Sequence, residues 1–198
     1  MPVYCLTING MKQFAFALIV FAASGSAALA SECPMAPDHT AGVDAIIGQI
    51  QDAENEMAAR ELSNQLWEFW TDAPDESAQA VLDRGMSRRN AWDLLGAISD
   101  FDKLIDYCPG YAEGYNQRAF AHFLRQDFQA ALPDLDKAIE LSPNHVAAIS
   151  GRALTLLGLQ RIDEARDALA EALELNPWLS ERHLMAPGGP LAPPGEDI

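Results

Sequence analysis

Proline recurs at Pro109, Pro143 and Pro177, an interval of 34 residues, and the chain between these marks is built three times to one pattern. Residues 78–111, 112–145 and 146–179 align without gaps. Their shared positions carry Arg84-Gly85, Arg118-Ala119 and Arg152-Ala153, then Ala97, Ala131 and Ala165, then the bulky Phe101, Leu135 and Leu169, and last Leu104, Ala138 and Ala172. A unit repeated at such a period cannot bury its own apolar face and must stack against its copies. The spacing of Leu94, Ile98, Phe101, Leu104 and Ile105 is that of one face of an α-helix. Small residues at fixed positions let two antiparallel helices approach closely, so Ala119 and Ala153 should meet Ala131 and Ala165 or their neighbours. The prolines stop helices, because each lacks an amide hydrogen and disfavours helical backbone in the residue before it. Inner turns are expected near Arg89-Asn90, Gln126-Asp127 and Gln160-Arg161.

This pattern of small contact residues, one bulky residue and a closing proline at this period resembles the tetratricopeptide-repeat (TPR) family. The resemblance covers residues 78–179, about half of the chain. It implies an all-α fold, a right-handed superhelix of three stacked antiparallel hairpins, whose concave face receives a peptide or helix of a partner. Helical geometry places Leu82, Met86 and Arg89, then Asn116, Phe120 and Phe123, then Ser150, Leu154 and Leu157 on that face. The surface is mainly apolar and carries no lysine, unlike the relatives that grip a chaperone's acidic C-terminus, so an apolar peptide or amphipathic helix fits it better. The protein's own N-terminal helices are the competing occupant of the trough.

Ahead of the repeats, residues 41–77 read as an additional helical hairpin packed on the first repeat. Val43, Ile46, Ile47 and Ile50 share one helical face, and Leu62, Leu66, Phe69 and Trp70 share another. The run Leu66-Trp67-Glu68-Phe69-Trp70 is either the cap of an end repeat or a partner-binding patch. A Leu-Trp-x-x-Trp stretch before the repeats is similar to that of small exported alphaproteobacterial TPR proteins. After Pro177 a short closing helix and a disordered tail are expected within residues 180–198, the tail being rich in proline and glycine.

The first 30 residues have the three-part layout of a signal peptide. Met11-Lys12 supplies the positive start, Phe14 to Ala23 the apolar middle, and Ala28-Leu29-Ala30 the small residues before cleavage. Met11 is itself a candidate start, with residues 1–10 an extension. The apolar middle is too short for a permanent span, so a periplasmic or secreted product without stable membrane insertion is expected. Cleavage removes Cys5 and leaves Cys33 and Cys108, which form one bridge in an oxidising compartment or remain two unrelated thiols. Residues 31–40 read as a loop leading into the first helix.

The chain carries 29 acidic against 13 basic side chains, which disfavours nucleic-acid phosphates and anionic lipid headgroups as partners. Its four histidines, His39, His122, His145 and His183, are scattered without metal-ligand spacing, and no nucleophile elbow, phosphate loop or dinucleotide glycine pattern is present. No catalytic residue, metal or cofactor is therefore expected. Arg84, Arg118 and Arg152 recur at one repeat position, and each can either grip a partner's carboxylate or lock hairpin to hairpin, of which the lock is favoured. The expectation is a non-enzymatic scaffold or adaptor in the periplasm. An accessory subunit of an envelope enzyme system, such as cytochrome maturation or cell-wall remodelling, is the alternative.

Overall fold

The structure, a computed structural model, describes Met1, residues 32–193 and Gly195, so the leader expected at residues 1–30 lies outside the described residues apart from Met1. Among the described residues there is no strand. Within the described residues, eight α-helices follow one another as antiparallel hairpins: α1 (Thr40–Gln51) with α2 (Glu56–Trp70), α3 (Glu76–Asn90) with α4 (Leu94–Tyr107), α5 (Ala112–Leu124) with α6 (Phe128–Leu141), and α7 (Val146–Gly158) with α8 (Ile162–Leu175). A 3-10 helix, Ser180–Met185, closes the run. None of the described helices is long and apolar enough to cross a membrane.

Local chemistry explains where the helices begin and turn. Asp75, Asp93 and Asp127 each accept a hydrogen bond from the backbone N–H three residues on, at 2.8, 3.1 and 3.4 Å, satisfying a donor the first helical turn leaves free. The inner turns place Trp92, Gln126 and Gln160 in the left-handed region with φ near 60°. The same 34-residue spacing thus governs a backbone feature as well as side chains. The small residues meet as the pattern requires. Ala119 and Ala131 share one core cluster, and Ala153 and Ala165 another. Gly85 lies so close to the Phe101 ring that an added Cβ would come within 2.4 Å of it.

The recurring arginines bind the hairpins. Arg84 donates to both carboxylate oxygens of buried Asp100 at 3.0 Å, and Arg118 does the same to Asp134 at 2.8 and 2.6 Å. Arg118 also reaches back to Asp102 at 2.7 Å, and Arg152 to Asp136 at 2.7 Å. These partners belong to α4 and α6, so the guanidinium groups tie a first helix to its own hairpin and to the preceding one. Hydrogen bonding to Arg84 holds the Asp100 carboxyl below its ordinary pKa, and the Asp134 pair raises that of Arg118.

Two expectations about the ends are corrected. The α1–α2 hairpin does not simply extend the stack on the first repeat: it crosses the concave side, where Ile50, Leu66 and Trp70 form one core with Val146 and with partly buried Leu175, Trp178 and Leu179 of the far end. Polar ties secure it there. Gln51 donates to the Glu174 carbonyl at 2.8 Å, Arg182 pairs with Glu56 at 2.9 Å, and Asn176 donates to Ser63 at 3.1 Å. The tail expected to be disordered folds back as far as residue 193. Leu191 is fully buried in the core of the last hairpin, its N–H donating to the Leu184 carbonyl at 2.9 Å and its carbonyl accepting from Arg166 at 3.1 Å. The physical cause is the same at both places: an end repeat offers apolar surface that has no further repeat to cover it.

Candidate groove and the buried polar cluster beneath it

The crossing of α2 turns an open trough into a walled cavity of about 430 Å³. One wall is α2, contributing Leu66, Trp67 and Trp70; the floor comes from α3, α5 and α7; Leu179 and Glu181 close the far end. Seven of the nine residues placed on the concave face by sequence line this cavity: Met86, Arg89, Asn116, Phe120, Phe123, Ser150 and Leu154. The other two are corrections. Leu82 is fully buried in the core that the α3–α4 hairpin forms with α5, and Leu157 packs against the core that Leu191 closes. At the mouth, Phe120 is 44% and Trp67 38% exposed, both high for large aromatic side chains in a folded protein. Trp67 meets Trp70 edge-on at 5.3 Å.

Beneath the apolar lining lies a polar cluster that the sequence reading did not assemble. Glu113, on α5, is buried and accepts from Asn116 at 3.0 Å, from Gln117 and from His145 Nε2 at 2.8 Å. The Nδ1 atom of His145 accepts the Ala148 N–H at 3.3 Å, which leaves the ring proton on Nε2 for donation to Glu113. Trp70 stacks on the same imidazole at 4.1 Å between centroids. Gln117 relays the cluster outward, its side-chain oxygen accepting from Arg89. Three donors on one buried carboxyl group replace the hydrogen bonds that burial takes from it. The cluster therefore fixes α5, α7 and the α2 wall relative to one another. The signal for it was present only as types: one Glu and one His, each without a counterpart in the other repeats.

A second cavity of about 590 Å³ opens on the other side of Trp70 and His145, under residues 33–40. Cys33 and Cys108 are joined by a disulfide with their Cα atoms 5.2 Å apart, which straps this segment to the end of α4. His39 and Asp72 meet at 2.7 Å across it. Tyr111 donates to the Trp70 carbonyl at 2.7 Å, and burial raises its phenol pKa well above the ordinary value. Among the described residues no group of three or more His, Cys, Asp or Glu side chains could hold a metal ion.

The family model for the tetratricopeptide repeat matches residues 122–180. No curated protein matches the chain. Among solved structures, the first TPR domain of Spaghetti (RPAP3) bound to the HSP90 peptide SRMEEVD is similar at 26% identity with a TM-score of 0.53, covering 54% of this chain and 84% of that one. The TPR2B domain of yeast Sti1 in complex with an Hsp70 peptide is similar at 25% identity and a TM-score of 0.52, over 55% of this chain and 90% of that one. The Arabidopsis OM64 TPR domain shares the fold at 24% identity, with a TM-score of 0.54 over 55% of this chain and 90% of that one.

Proposed function

Since this chain is a tetratricopeptide-repeat protein, we propose that it is a non-catalytic interaction module of an exported compartment, whose walled groove receives an apolar segment of a partner protein. The observation that carries this reading is the exposure of Phe120 and Trp67 at the mouth of a mainly apolar cavity. Apolar area left in water where the chain has folded its own hairpin over the rest of the same face is area kept for a partner. The peptide complexes of the RPAP3 and Sti1 domains support a role in peptide binding. The leader pattern of residues 11–30 and a cysteine pair bridged from Cys33 to Cys108 support export to an oxidising compartment.

Capture from envelope extract with wild-type protein and with the Phe120→Ala and Phe123→Glu variants tests this. Wild type is expected to retain a protein that both variants lose while their helical circular dichroism stays unchanged. Identical captured sets would remove the groove from the function.

A further inference from the structure

Among the described residues, the cavity lining holds one cation, Arg89 from α3 of the first repeat, and one anion, Glu181 beyond α8 of the last. Arg89 is unlike the arginines that bind the stack. Arg84, Arg118 and Arg152 each hold a carboxylate. Arg89 is partly buried, and among the described residues its hydrogen bonds go to two amide oxygens, those of Gln117 and, at 3.0 Å, Asn90. Its guanidinium lies 4.9 Å from the centre of the Phe120 ring. The carboxylate nearest in the hydrogen-bond network, Glu113, stands one amide away and already accepts from three donors. A guanidinium carries five N–H groups and two are engaged, so donors remain for a ligand. Burial lowers the pKa of this group, and the charge of Glu113 offsets that only in part.

Resting on the reading of the groove as a peptide site, we propose that the partner segment is apolar with an acidic side chain at one end, and that this carboxylate pairs with Arg89 while the apolar residues cover Phe120, Phe123 and Leu154. Glu181 sets the polarity, because a carboxylate placed at the opposite end would face a like charge. The net charge of −16 opposes acidic ligands at long range, but that field is screened beyond about 8 Å at physiological salt, whereas an ion pair inside an apolar cavity is not. The overall charge therefore slows encounter and leaves the local pairing intact. A carboxylate on Arg89 would accept the bidentate pair of N–H bonds that this group offers.

Selection of displayed random dodecapeptides on the wild-type full chain, with titration of the winners by fluorescence anisotropy, tests the inference. Enriched peptides are expected to carry Asp or Glu beside an apolar run. Their affinity should fall about tenfold or more in Arg89→Met, recover in part in Arg89→Lys, and be lost in Phe120→Glu. Arg89→Met should melt no lower than wild type, since methionine fills similar space without a charge. Winners that are purely apolar, indifferent to Arg89→Met but lost in Phe120→Glu, would overturn the carboxylate pairing and leave the groove reading standing. Winners that bind Phe120→Glu as well as wild type would overturn both.

Discussion

Thr155 shows how the groove differs from a core. Its hydroxyl, on α7 beside the cavity, is buried and has no hydrogen-bond partner among the described residues, and the indole N–H groups of Trp70 and Trp178 share that condition. A buried hydroxyl left unpaired costs about 1–3 kcal/mol, and replacing it by an apolar group of the same shape returns part of that. Thr155→Val is therefore expected to stabilise the protein by about 1 kcal/mol, read as a shift of the urea midpoint at unchanged slope. A lower midpoint would mean that the hydroxyl has a partner, such as an ordered water. Some of the residue-scale pairing was legible beforehand. Asp100 and Asp134 recur at the repeat interval, as do Asp102 and Asp136, so the carboxylates that receive Arg84, Arg118 and Arg152 could have been found by aligning acids as well as bases. The third repeat has Ala168 and Ala170 at those positions, which is why Arg152 finds a partner only in the preceding hairpin. The Glu113–His145 pair was not legible, because its members occur once each, one on α5 and one just ahead of α7, and no periodicity links them.

At the scale of elements, the smallest residue at a helix crossing sets how closely the pair can approach. Gly85 on α3 faces Phe101 on α4, a fully buried ring that cannot give way without disturbing Leu82, Leu104 and Tyr111 around it. Gly85→Ala is expected to destabilise the first repeat by about 2 kcal/mol through overpacking, despite alanine's better helix propensity. Hydrogen exchange of the α3 and α4 amides locates the loss, and an alanine variant as stable as wild type would show that the crossing is looser than its geometry. Propensity is likewise overruled in α6, which runs through Pro133 to Leu141 because its Ala131, Leu135 and Ala138 are committed to the core on either side. The misplaced groove residues belong to this scale. Leu82 shares its repeat position with Asn116 and Ser150, and Leu157 with Arg89 and Phe123, so repeat symmetry alone predicts that they behave alike. They do not, since the first and last repeats lack a like neighbour on one side and are covered by Ala73 and Tyr111 and by Leu184 and Leu191 instead.

For the whole molecule, the strap at Cys33–Cys108 closes a separation of 75 residues and holds the segment that leads into α1, whose hairpin walls the groove. In the chain-entropy model a loop of that size contributes roughly 4 kcal/mol. Cys33→Ser should therefore lower unfolding stability by up to about 4 kcal/mol, and added reductant should lower wild type but leave the variant unchanged. Equal midpoints for both proteins without reductant would show that the bridge contributes nothing. The periodic part of the chain determined the helices, their antiparallel pairing and the apolar character of the concave face, because those follow from contacts repeated every 34 residues between neighbours in sequence. Tertiary structure alone decided that α2 crosses that face to meet Val146 and Trp178, that Leu191 returns to cover the last hairpin, and that a trough becomes a cavity with one carboxylate-free arginine. These contacts join segments that occur once, about 100 residues apart in the case of the hairpin, and surface left bare at the ends of a solenoid, not periodicity, selects what covers it.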